Sequence, residues 1–321
     1  MTTFADLVYQ LGGLPAGLAL VPPGGAWLWV DPANGGDGND GLTPGTALAT
    51  VGAAYAKCTA NRNDVVALIG GPTASVEAAA IDWAKNYTHL LGFCAPVHEG
   101  QRARITQLST LTGASPFFKV SASGCMFRNL RIWQGVADAT SLINVQVTGA
   151  RDHFYGVDFA GGGHATQAVD GGASLSISGA AECLFERCTI GVDTIAAATG
   201  MAGLVFAATG GATRNVWRDC LFSLYAGHAA AIFVELLGNA GIDRYQLFER
   251  CTFANLSATA MTQAFAVASG FDANNKRVLL KDCALIGATD WDANNRGLLY
   301  LNNGTITGGG NAGLFAVSNS T

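Results

Sequence analysis

The stretch CLFERCTI (183–190) decides the fold, because close variants of it recur along the chain at near-constant spacing. The variants are CMFRNLRI (125–132), HFYGVDF (153–159), VWRDCLF (216–222), LFERCTF (247–253), VLLKDCAL (278–285) and, most weakly, YLNNGTI (300–306). Aligned on the residue after a central polar pair, the repeats have as anchors Leu130, Val157, Cys188, Cys220, Cys251, Cys283 and Gly304. Spacings are 27 to 32 residues, except for 21 between the last two. Such a period predicts a solenoid, whose units bury their apolar sides by stacking.

Each repeat has a large apolar residue three positions before the anchor and another two positions after it. The first set is Phe127, Phe154, Phe185, Trp217, Phe248 and Leu280, and the second is Ile132, Phe159, Ile190, Phe222, Phe253 and Leu285. Because side chains alternate along a strand, the odd spacing predicts a short bend between two strands that face one interior. Alternating apolar residues predict a third strand before each repeat, at 141–147, 174–178, 204–208, 231–236 and 264–269.

Three short strands per turn are typical of a right-handed parallel β-helix. A helical solenoid fits poorly, because the repeats lack helical periodicity and their apolar residues are β-branched or aromatic. We therefore predict an all-β right-handed parallel β-helix solenoid with an N-terminal arm and a short capping helix. The expected divisions are an arm (1–25), a capping strand, loop and helix (26–64) and the parallel β-helix (65–321). We expect one interior stack of Phe127, Phe185, Trp217 and Phe248, and another of Cys188, Cys220, Cys251 and Cys283.

The segment before the repeats has a different pattern. Residues 26–71 predict a strand, a Gly/Asp loop, a short Ala-rich helix and a strand that opens the solenoid, with the helix N-cap in Thr43–Thr46. Residues 89–96 and 102–108 are interpreted as early, irregular coils. The first 56 residues contain no Lys or Arg, so the apolar N-terminus lacks the basic region of a secretory signal and is interpreted as a packing arm.

The loop from Asp31 to Gly41 allows two interpretations. Asp37, Asn39 and Asp40 among glycines resemble a calcium-binding turn, which uses oxygen ligands. Only one copy of this pattern is present, however, and no downstream Glu completes an EF-hand. An Asx/Gly turn is the alternative that the composition favours.

Composition and charge exclude two classes of partner. The chain of 321 residues has a net charge of −5 and is 50% hydrophobic, and nucleic-acid binding normally needs a basic face. No stretch approaches 18 consecutive apolar residues, so no membrane partner is expected. The sequence predicts neither nucleic-acid nor membrane binding.

Eight cysteines are present, and four of them share one repeat position. Stacked side chains with parallel Cβ vectors lie too far apart for a good disulfide. The spacing shows no CxxC pair, so a zinc site is not expected. We predict buried thiols without disulfides, in a protein folded in a reducing cytoplasm.

Three N-terminal motifs carry a resemblance to a known family: WVDPANGGDGNDGLTPGTALATVGAAYAKC (29–58), NDVVALIGG (63–71) and HLLGFCAP (89–96). They resemble the start of pectate-lyase-like β-helix proteins of tailed bacteriophages, in which such a loop, Pro-containing step and helix cap the first coil. The resemblance covers about residues 26–100 by motif and 117–306 by repeat architecture. It implies a virion protein, since the family includes tailspikes that cleave host polysaccharide and capsid decoration proteins that do no chemistry.

An enzyme of this fold needs carboxylates or a basic residue gathered on one face. Asp152-His153 superficially matches the Asp-His pair of pectate lyases, but its place just before an apolar repeat position favours a loop or bend. His164 follows three glycines without the pattern that flanks it in polygalacturonases. The acids Glu186, Asp219, Glu249 and Asp282 alternate with Arg187, Arg218, Arg250 and Lys281, which predicts an exposed ladder of opposite charges. No catalytic, cofactor-binding or metal-binding residue and no cofactor is predicted.

A short β-helix without a catalytic cluster fits a decoration protein better than a tailspike. The expectation is a non-enzymatic bacteriophage virion structural protein that stabilises the capsid shell. It is expected to be assembled in the host cytoplasm as a homotrimer, with the major capsid protein as partner. The alternative is a tailspike or receptor-binding protein that binds or cleaves host surface polysaccharide.

Overall fold

The computed structural model describes residues 24–269, 271, 277–293 and 298–301. In this part of the chain it contains one α-helix, α1 (Val51–Lys57), two 3-10 turns (Pro44–Thr46 and Asn239–Gly241) and twenty-four strands. The strands are β1 (Trp27–Val30), β2 (Val65–Ile69), β3 (Ser75–Glu77), β4 (Ile81–Trp83), β5 (His89–Phe93), β6 (Arg104–Gln107), β7 (Phe118–Val120), β8 (Met126–Trp133), β9 (Ile143–Val147), β10 (His153–Ala160), β11 (Ala173–Ile177), β12 (Leu184–Glu186), β13 (Thr189–Ile190), β14 (Ala196–Ala197), β15 (Ala202–Phe206), β16 (Asn215–Arg218), β17 (Leu221–Ala226), β18 (Ile232–Leu236), β19 (Tyr245–Glu249), β20 (Thr252–Asn255), β21 (Phe265–Val267), β22 (Arg277–Lys281), β23 (Ala284–Ile286) and β24 (Leu298–Leu301).

The strands form two parallel sheets that wind around one core. The second sheet has one strand per coil, in the order β4, β7, β9, β11, β15, β18 and β21, and the first sheet has the other seventeen. Within a coil the chain passes from the second sheet to two successive strands of the first sheet, as in β9 followed by the two halves of β10. This is a β-solenoid of about seven turns, and the predicted fold class is confirmed. The predicted third strands are confirmed as β9, β11, β15, β18 and β21.

A single residue in the left-handed backbone region forms the bend inside each repeat. Its φ lies between 52° and 61° at Asn129, Gly156, Arg187, Asp219, Arg250 and Asp282. A left-handed residue turns the chain sharply and shifts the alternation of side chains by one position. Phe185 and Ile190 are therefore both fully buried although they lie five positions apart, an odd spacing that would put them on opposite faces of a regular strand. The bend predicted from the odd spacing is confirmed.

Aromatic rings form a continuous stack through the core. Its members are Phe127, Phe154, Phe185, Trp217 and Phe248. Neighbouring ring centroids are 3.9 to 5.6 Å apart, and the ring planes differ by 9° or less. The predicted stack is confirmed, and Phe154 occupies the coil between Phe127 and Phe185. Parallel strand pairing places equivalent residues of successive coils one above the other, which produces this arrangement.

The four repeat cysteines form a second interior column. Cys188, Cys220, Cys251 and Cys283 are all buried. The Sγ of each lies 3.3 to 3.4 Å from the carbonyl oxygen of the aromatic residue one coil earlier, in the order Phe154, Phe185, Trp217 and Phe248. A thiol is a weak donor, so each cysteine fills the bend and partly satisfies a backbone carbonyl. The predicted cysteine stack is confirmed.

The charged residues of the repeat form the predicted ladder on the outer face. Its contacts are Arg218 Nη1 to Glu186 Oε1 at 3.6 Å, Arg218 Nε to Glu249 Oε2 at 2.9 Å, Lys281 Nζ to Glu249 Oε1 at 2.7 Å and Arg250 Nε to Asp219 Oδ1 at 2.7 Å. Hydrogen bonds from Lys281 and Arg218 lower the pKa of Glu249 to about 2. The ladder is structural, since each charge in these contacts is matched by one from a neighbouring coil.

The helix α1 covers the first coil through buried Val51, Ala54 and Tyr55, as predicted. Its N-cap is Thr50, whose hydroxyl accepts a hydrogen bond from the N–H of Ala53 at 3.2 Å. The prediction of an N-cap within Thr43–Thr46 is wrong. Those residues form a separate 3-10 turn, and Leu48 then pairs with Val30 in an extended bridge before the helix begins.

Carboxylates in the loop from Asp31 to Gly41 bind backbone and hydroxyl groups of the protein. Asp31 Oδ1 accepts from the N–H of Ala33 at 3.0 Å, Asp37 Oδ1 from the N–H groups of Ala49 and Thr50 at 2.9 Å, and Asp40 Oδ1 from the N–H of Leu42 at 3.0 Å and the hydroxyl of Thr46 at 2.6 Å. The contacts of Asp31 with Ala33 and of Asp40 with Leu42 are Asx turns, whereas those of Asp37 join the loop to the start of α1.

Some predictions concern residues outside the described ones. The arm (1–25) lies almost entirely there, and so does the anchor Gly304.

The last repeat is displaced by one residue from its predicted register, because Leu280 pairs with Tyr300 and not with Leu301. Its coil is also the shortest, so the sequence pattern alone aligned it poorly. Among the described residues, no helix is both long and apolar enough to cross a membrane.

Candidate functional site

A cleft of about 520 Å³ lies on the outer face of the first sheet, beside a long loop. In the first coils, a loop and not a single residue connects the two first-sheet strands: 70–74 joins β2 to β3, and 94–103 joins β5 to β6. The longer loop extends toward later coils, where the N–H of Gly100 donates to Asp158 Oδ2 at 3.0 Å and His98 Nδ1 lies 3.0 Å from Thr189 Oγ1. This loop forms one wall of the cleft, and the sheet forms its floor.

Strand register places the floor residues in one column. Arg104 pairs with Arg131, Arg131 with Asp158, and Asp158 with Thr189, so four successive coils contribute one side chain each. The neighbouring strand residues Ile105, Ile132, Phe159 and Ile190 are buried in the core. Because side chains alternate between the two faces of a strand, the column faces outward into the cleft.

Asp158 is the most deeply buried acid of the cleft, with 2% of the residue exposed. Its Oδ2 accepts from the N–H of Gly100 and lies 3.1 Å from Arg131 Nε. Burial raises the pKa of Asp158 to about 6, and the neighbouring Arg131 opposes that rise. A carboxyl group with such a pKa changes its protonation state near neutral pH, which is a frequent property of functional sites.

Two further carboxyl groups, Glu99 and Asp193, line the cleft. Burial raises the pKa of Glu99, and the negative charge of Asp193 adds to the effect. Among the described residues, no group of three or more His, Cys, Asp or Glu side chains is arranged to hold a metal ion.

Trp133 supplies an apolar surface in the cleft. Its indole packs closely on two glycines, since a Cβ at Gly135 or Gly163 would lie 2.6 or 2.5 Å from the nearest ring atom. The guanidinium carbon of Arg131 is 4.6 Å from the centroid of the indole ring. This cation–π contact and the carboxylate of Asp158 hold Arg131 in one orientation.

Arg104 lies at the earlier end of the column. Its Nη2 donates to the carbonyl oxygens of Gly71 and Pro72, which belong to the shorter loop. Its Nε is buried and has no hydrogen-bond partner within the part of the chain that the structure describes. Burial lowers the pKa of Arg104, as do the positive charges of Arg102 and Arg131.

The residues considered from the sequence lie elsewhere. Asp152 is buried inside the solenoid, where its Oδ1 accepts from the N–H of Cys125 at 2.8 Å. The expectation that this pair forms a loop or bend is wrong for His153, which begins β10 and lies 3.3 Å from Glu186 Oε2 on the outer face. His164 accepts from the N–H of Thr166 in a local turn. The structure brings none of the three into the cleft.

No cleft residue was selected from the sequence. A signal was present, since the position after the anchor holds Arg131 and Asp158 in early repeats but Leu221 and Ala284 in later ones. Charged residues at one repeat position, confined to adjacent coils, mark a local departure from the structural pattern. The loop that turns this column into a cleft has no counterpart in the repeat.

Solved structures that resemble this chain include a lyase, a pectin methylesterase and a viral protein. A rhamnogalacturonan lyase matches with a TM-score of 0.55 and 14% sequence identity, over 81% of this chain and 68% of that one. A pectin methylesterase in complex with a hexasaccharide matches with a TM-score of 0.55 and 15% identity, over 85% and 87% of the two chains. A protein of Geobacillus virus E2, ORF18, matches at a TM-score of 0.40 and 10% identity, over 92% and 63%.

These matches define the class of the protein by its fold. The predicted resemblance to pectate-lyase-like β-helix proteins is confirmed at this level. Sequence comparison adds nothing to it, since no protein-family model and no curated protein matches the chain. At such low identity the shared fold is compatible with an enzyme, and it assigns neither an activity nor a substrate.

Proposed function

We propose that the protein is a non-enzymatic structural component of a bacteriophage virion, a homotrimeric decoration protein that binds the major capsid protein and stabilises the shell. Assembly takes place in the host cytoplasm. The observation that carries this proposal is the apolar arm, residues 1–25, which directly precedes the solenoid. The arm contains a single charged side chain, that of Asp6. A soluble monomer does not readily leave such a segment exposed.

The outer face of the first coils supports the same role. Leu28 and Val30 point into the core, so Trp27 and Trp29 face outward. Their ring centroids are 6.2 Å apart, and that of Phe93 is 5.4 Å from Trp29. Trp27 and Trp29 of this half-buried aromatic cluster directly follow the arm in sequence, and the cluster offers the arm, or a second subunit, an apolar surface.

Truncation tests the proposal. Removal of residues 1–21 is expected to weaken trimer formation and capsid binding, measured by light scattering and co-sedimentation with capsids, while circular dichroism shows an intact β-helix. Two double variants of the full-length protein separate the effect of apolar contacts from that of arm length. F4A/L7A removes apolar side chains and should weaken association, whereas the control T2A/T3A removes polar side chains and should not. Unchanged association of the truncated protein contradicts the role of the arm. A copy number of hundreds per particle supports a capsid position, and a handful places the protein at the tail.

The cleft favours a second candidate, a tail protein that binds or cleaves host surface polysaccharide. Asp158 and Glu99 both have raised pKa values, as expected of a general acid. Depolymerisation of host polysaccharide by the purified protein, abolished by Asp158→Asn, supports this candidate. Intact polysaccharide after prolonged incubation favours the structural role.

A further inference from the structure

We propose that one corner of the solenoid, where the later coils leave the first sheet toward the second, is the surface through which this chain contacts a second copy of itself. The outward residues of this corner are Ala196, Tyr225 and Leu256, one from each of three successive coils, and we call this row the neutral ridge. The inference rests on the proposed homotrimer, because it assigns a contact between subunits other than the arm.

Strand pairing aligns the neutral ridge parallel to the solenoid axis. Ala196 pairs directly with Tyr225. The residues before Tyr225 and Leu256, which are Leu224 and Asn255, pair with each other, so Leu256 continues the row. Neighbouring strands of a sheet are about 4.8 Å apart. The neutral ridge is therefore a straight row of side chains with regular spacing.

The neutral ridge exposes apolar side chains to solvent. Leu256 has an exposed fraction of 74%, the highest of any large hydrophobic residue in the described part of the chain, and Tyr225 has one of 42%. Single exposed apolar residues are common on protein surfaces, whereas contiguous ones are typical of interaction sites. Tyrosine is enriched at such sites, because it combines a large apolar ring with a hydroxyl group.

The sequence around the neutral ridge is free of formal charge at neutral pH. The three residues belong to the segments 194–213, 220–234 and 251–271, and none of these segments contains Lys, Arg, Asp or Glu. Removal of an unpaired charge from water is costly. A contact made by these segments avoids that cost, which favours their burial against another neutral surface.

The corner where the chain enters the first sheet is charged. There Arg214 Nη1 lies 2.7 Å from Glu182 Oε1, and Arg244 Nε lies 3.6 Å from Asp243 Oδ2. Leu237 begins the turn that carries Asp243 and Arg244, and it is also exposed, to 52%. Burial of this charged corner in a subunit contact would desolvate its ion pairs. Of the two corners, the one with the neutral ridge is therefore the better contact surface.

A second copy of the chain matches the neutral ridge in spacing as well as in charge. Its own ridge repeats at the same interval, because the backbone pairing of parallel strands sets that interval. Identical ridges can therefore pack along their length, side chain against side chain. Three of them can meet around a threefold axis parallel to the solenoid, which agrees with the closed symmetry usual for homo-oligomers.

Charge variants of the full-length protein test the proposal. Leu256→Asp places a carboxylate on the neutral ridge of each subunit, and we expect the dissociation constant of the oligomer, measured by analytical ultracentrifugation, to rise tenfold or more. Leu237→Asp is the matched control, since it makes the same change at an exposed leucine of the charged corner and should leave association unchanged. Thermal unfolding verifies the fold of both variants, and co-sedimentation measures their binding to capsids.

A cross-linking experiment locates the contact directly. Leu256→Cys, treated with a short bismaleimide, should give covalently linked subunits on a denaturing gel, because symmetry brings equivalent ridge residues together. Leu237→Cys should remain unlinked. The wild type is the blank, since its cysteines are buried except for the half-buried Cys94. Absence of linked subunits in Leu256→Cys, or equal linking in both variants, contradicts the contact.

Four results of the association measurements overturn the proposal. Equal association of Leu256→Asp and the wild type, or equal losses in Leu256→Asp and Leu237→Asp, leaves the proposed function intact, because arm truncation tests that function separately. A monomeric wild type that still co-sediments with capsids contradicts the homotrimer as well, but not the capsid role. Loss of capsid binding by Leu256→Asp without loss of self-association would assign the neutral ridge to the capsid protein instead.

Discussion

Asp152 shows how one buried residue can set the pH dependence of stability. Its Oδ1 accepts from the N–H of Cys125, while its Oδ2 is buried without a partner among the described residues. Two coils later, Asn215 accepts from the N–H of Cys183 at 2.9 Å and donates to Ala180 at 3.0 Å. An amide therefore suits this environment better than a carboxylate does, and burial raises the pKa of Asp152 to about 7.

We expect Asp152→Asn to stabilise the protein at pH 8 by about 1–3 kcal/mol, since one pKa unit corresponds to ~1.4 kcal/mol. The folded-state pKa is raised, so the stability of the wild type is full below the unfolded-state pKa, about 4, and is lost as pH rises toward 7. The gain should thus vanish at pH 4. Unfolding midpoints at both pH values measure it. The reciprocal variant Asn215→Asp should lose stability at pH 8, and a pH-independent gain would contradict the mechanism.

Arg187 illustrates the backbone requirement of the bend. Its φ is 52°, and its exposed side chain donates to the hydroxyl of Tyr155 at 3.2 Å. Arg187→Val should cost about 1–3 kcal/mol, because a β-branched residue is strained in the left-handed region. Arg187→Gly removes the same side chain without that strain. If the two variants have equal free energies of unfolding, backbone conformation does not limit this position.

At the scale of the element, the aromatic stack links the coils. Trp217 lies between Phe185 and Phe248, with centroid distances of 3.9 and 5.6 Å. Trp217→Ala should destabilise the protein by about 3–5 kcal/mol through a cavity that spans three coils. Trp217→Phe should cost much less, because its neighbours show that the position accepts a phenylalanine ring. Denaturant unfolding compares them, and equal losses would argue against stacking as the source.

The thiols give a prediction for all eight cysteines together. Burial raises the pKa of Cys58, Cys125 and Cys183 to about 12, which makes them poor nucleophiles in the folded protein. We expect slow alkylation under native conditions and eight modified thiols after denaturation without reductant. Mass spectrometry counts them. Fewer than eight would mean that a disulfide has formed.

At the scale of the whole molecule, repetition determined what could be predicted. The strands, the bend and the two interior columns follow from residues that recur once per coil, because stacking converts a sequence period into spatial register. The helix cap was misplaced, because Thr50 and Thr43 are equally suitable capping residues and only the bridge from Leu48 to Val30 decides between them. The sequence did not predict the cleft, because the loop 94–103 occurs only once among the repeats. Its contact with Asp158 therefore does not follow from the repeat spacing.

The loop 94–103 also bears on how the solenoid opens. A solenoid is held together mainly by contacts between nearest neighbours, so its terminal coils can separate one at a time. This loop contacts Asp158 and Thr189, which lie two and three coils beyond the strand that it leads into. Unfolding that begins at the C-terminal coils should therefore stop at the coil of Thr189, where the loop contacts bind several coils together. The coils from β5 to β13 should then unfold as a single cooperative unit. Amide hydrogen exchange should show protection that declines gradually from β16 to β23 but is uniform from β5 to β13.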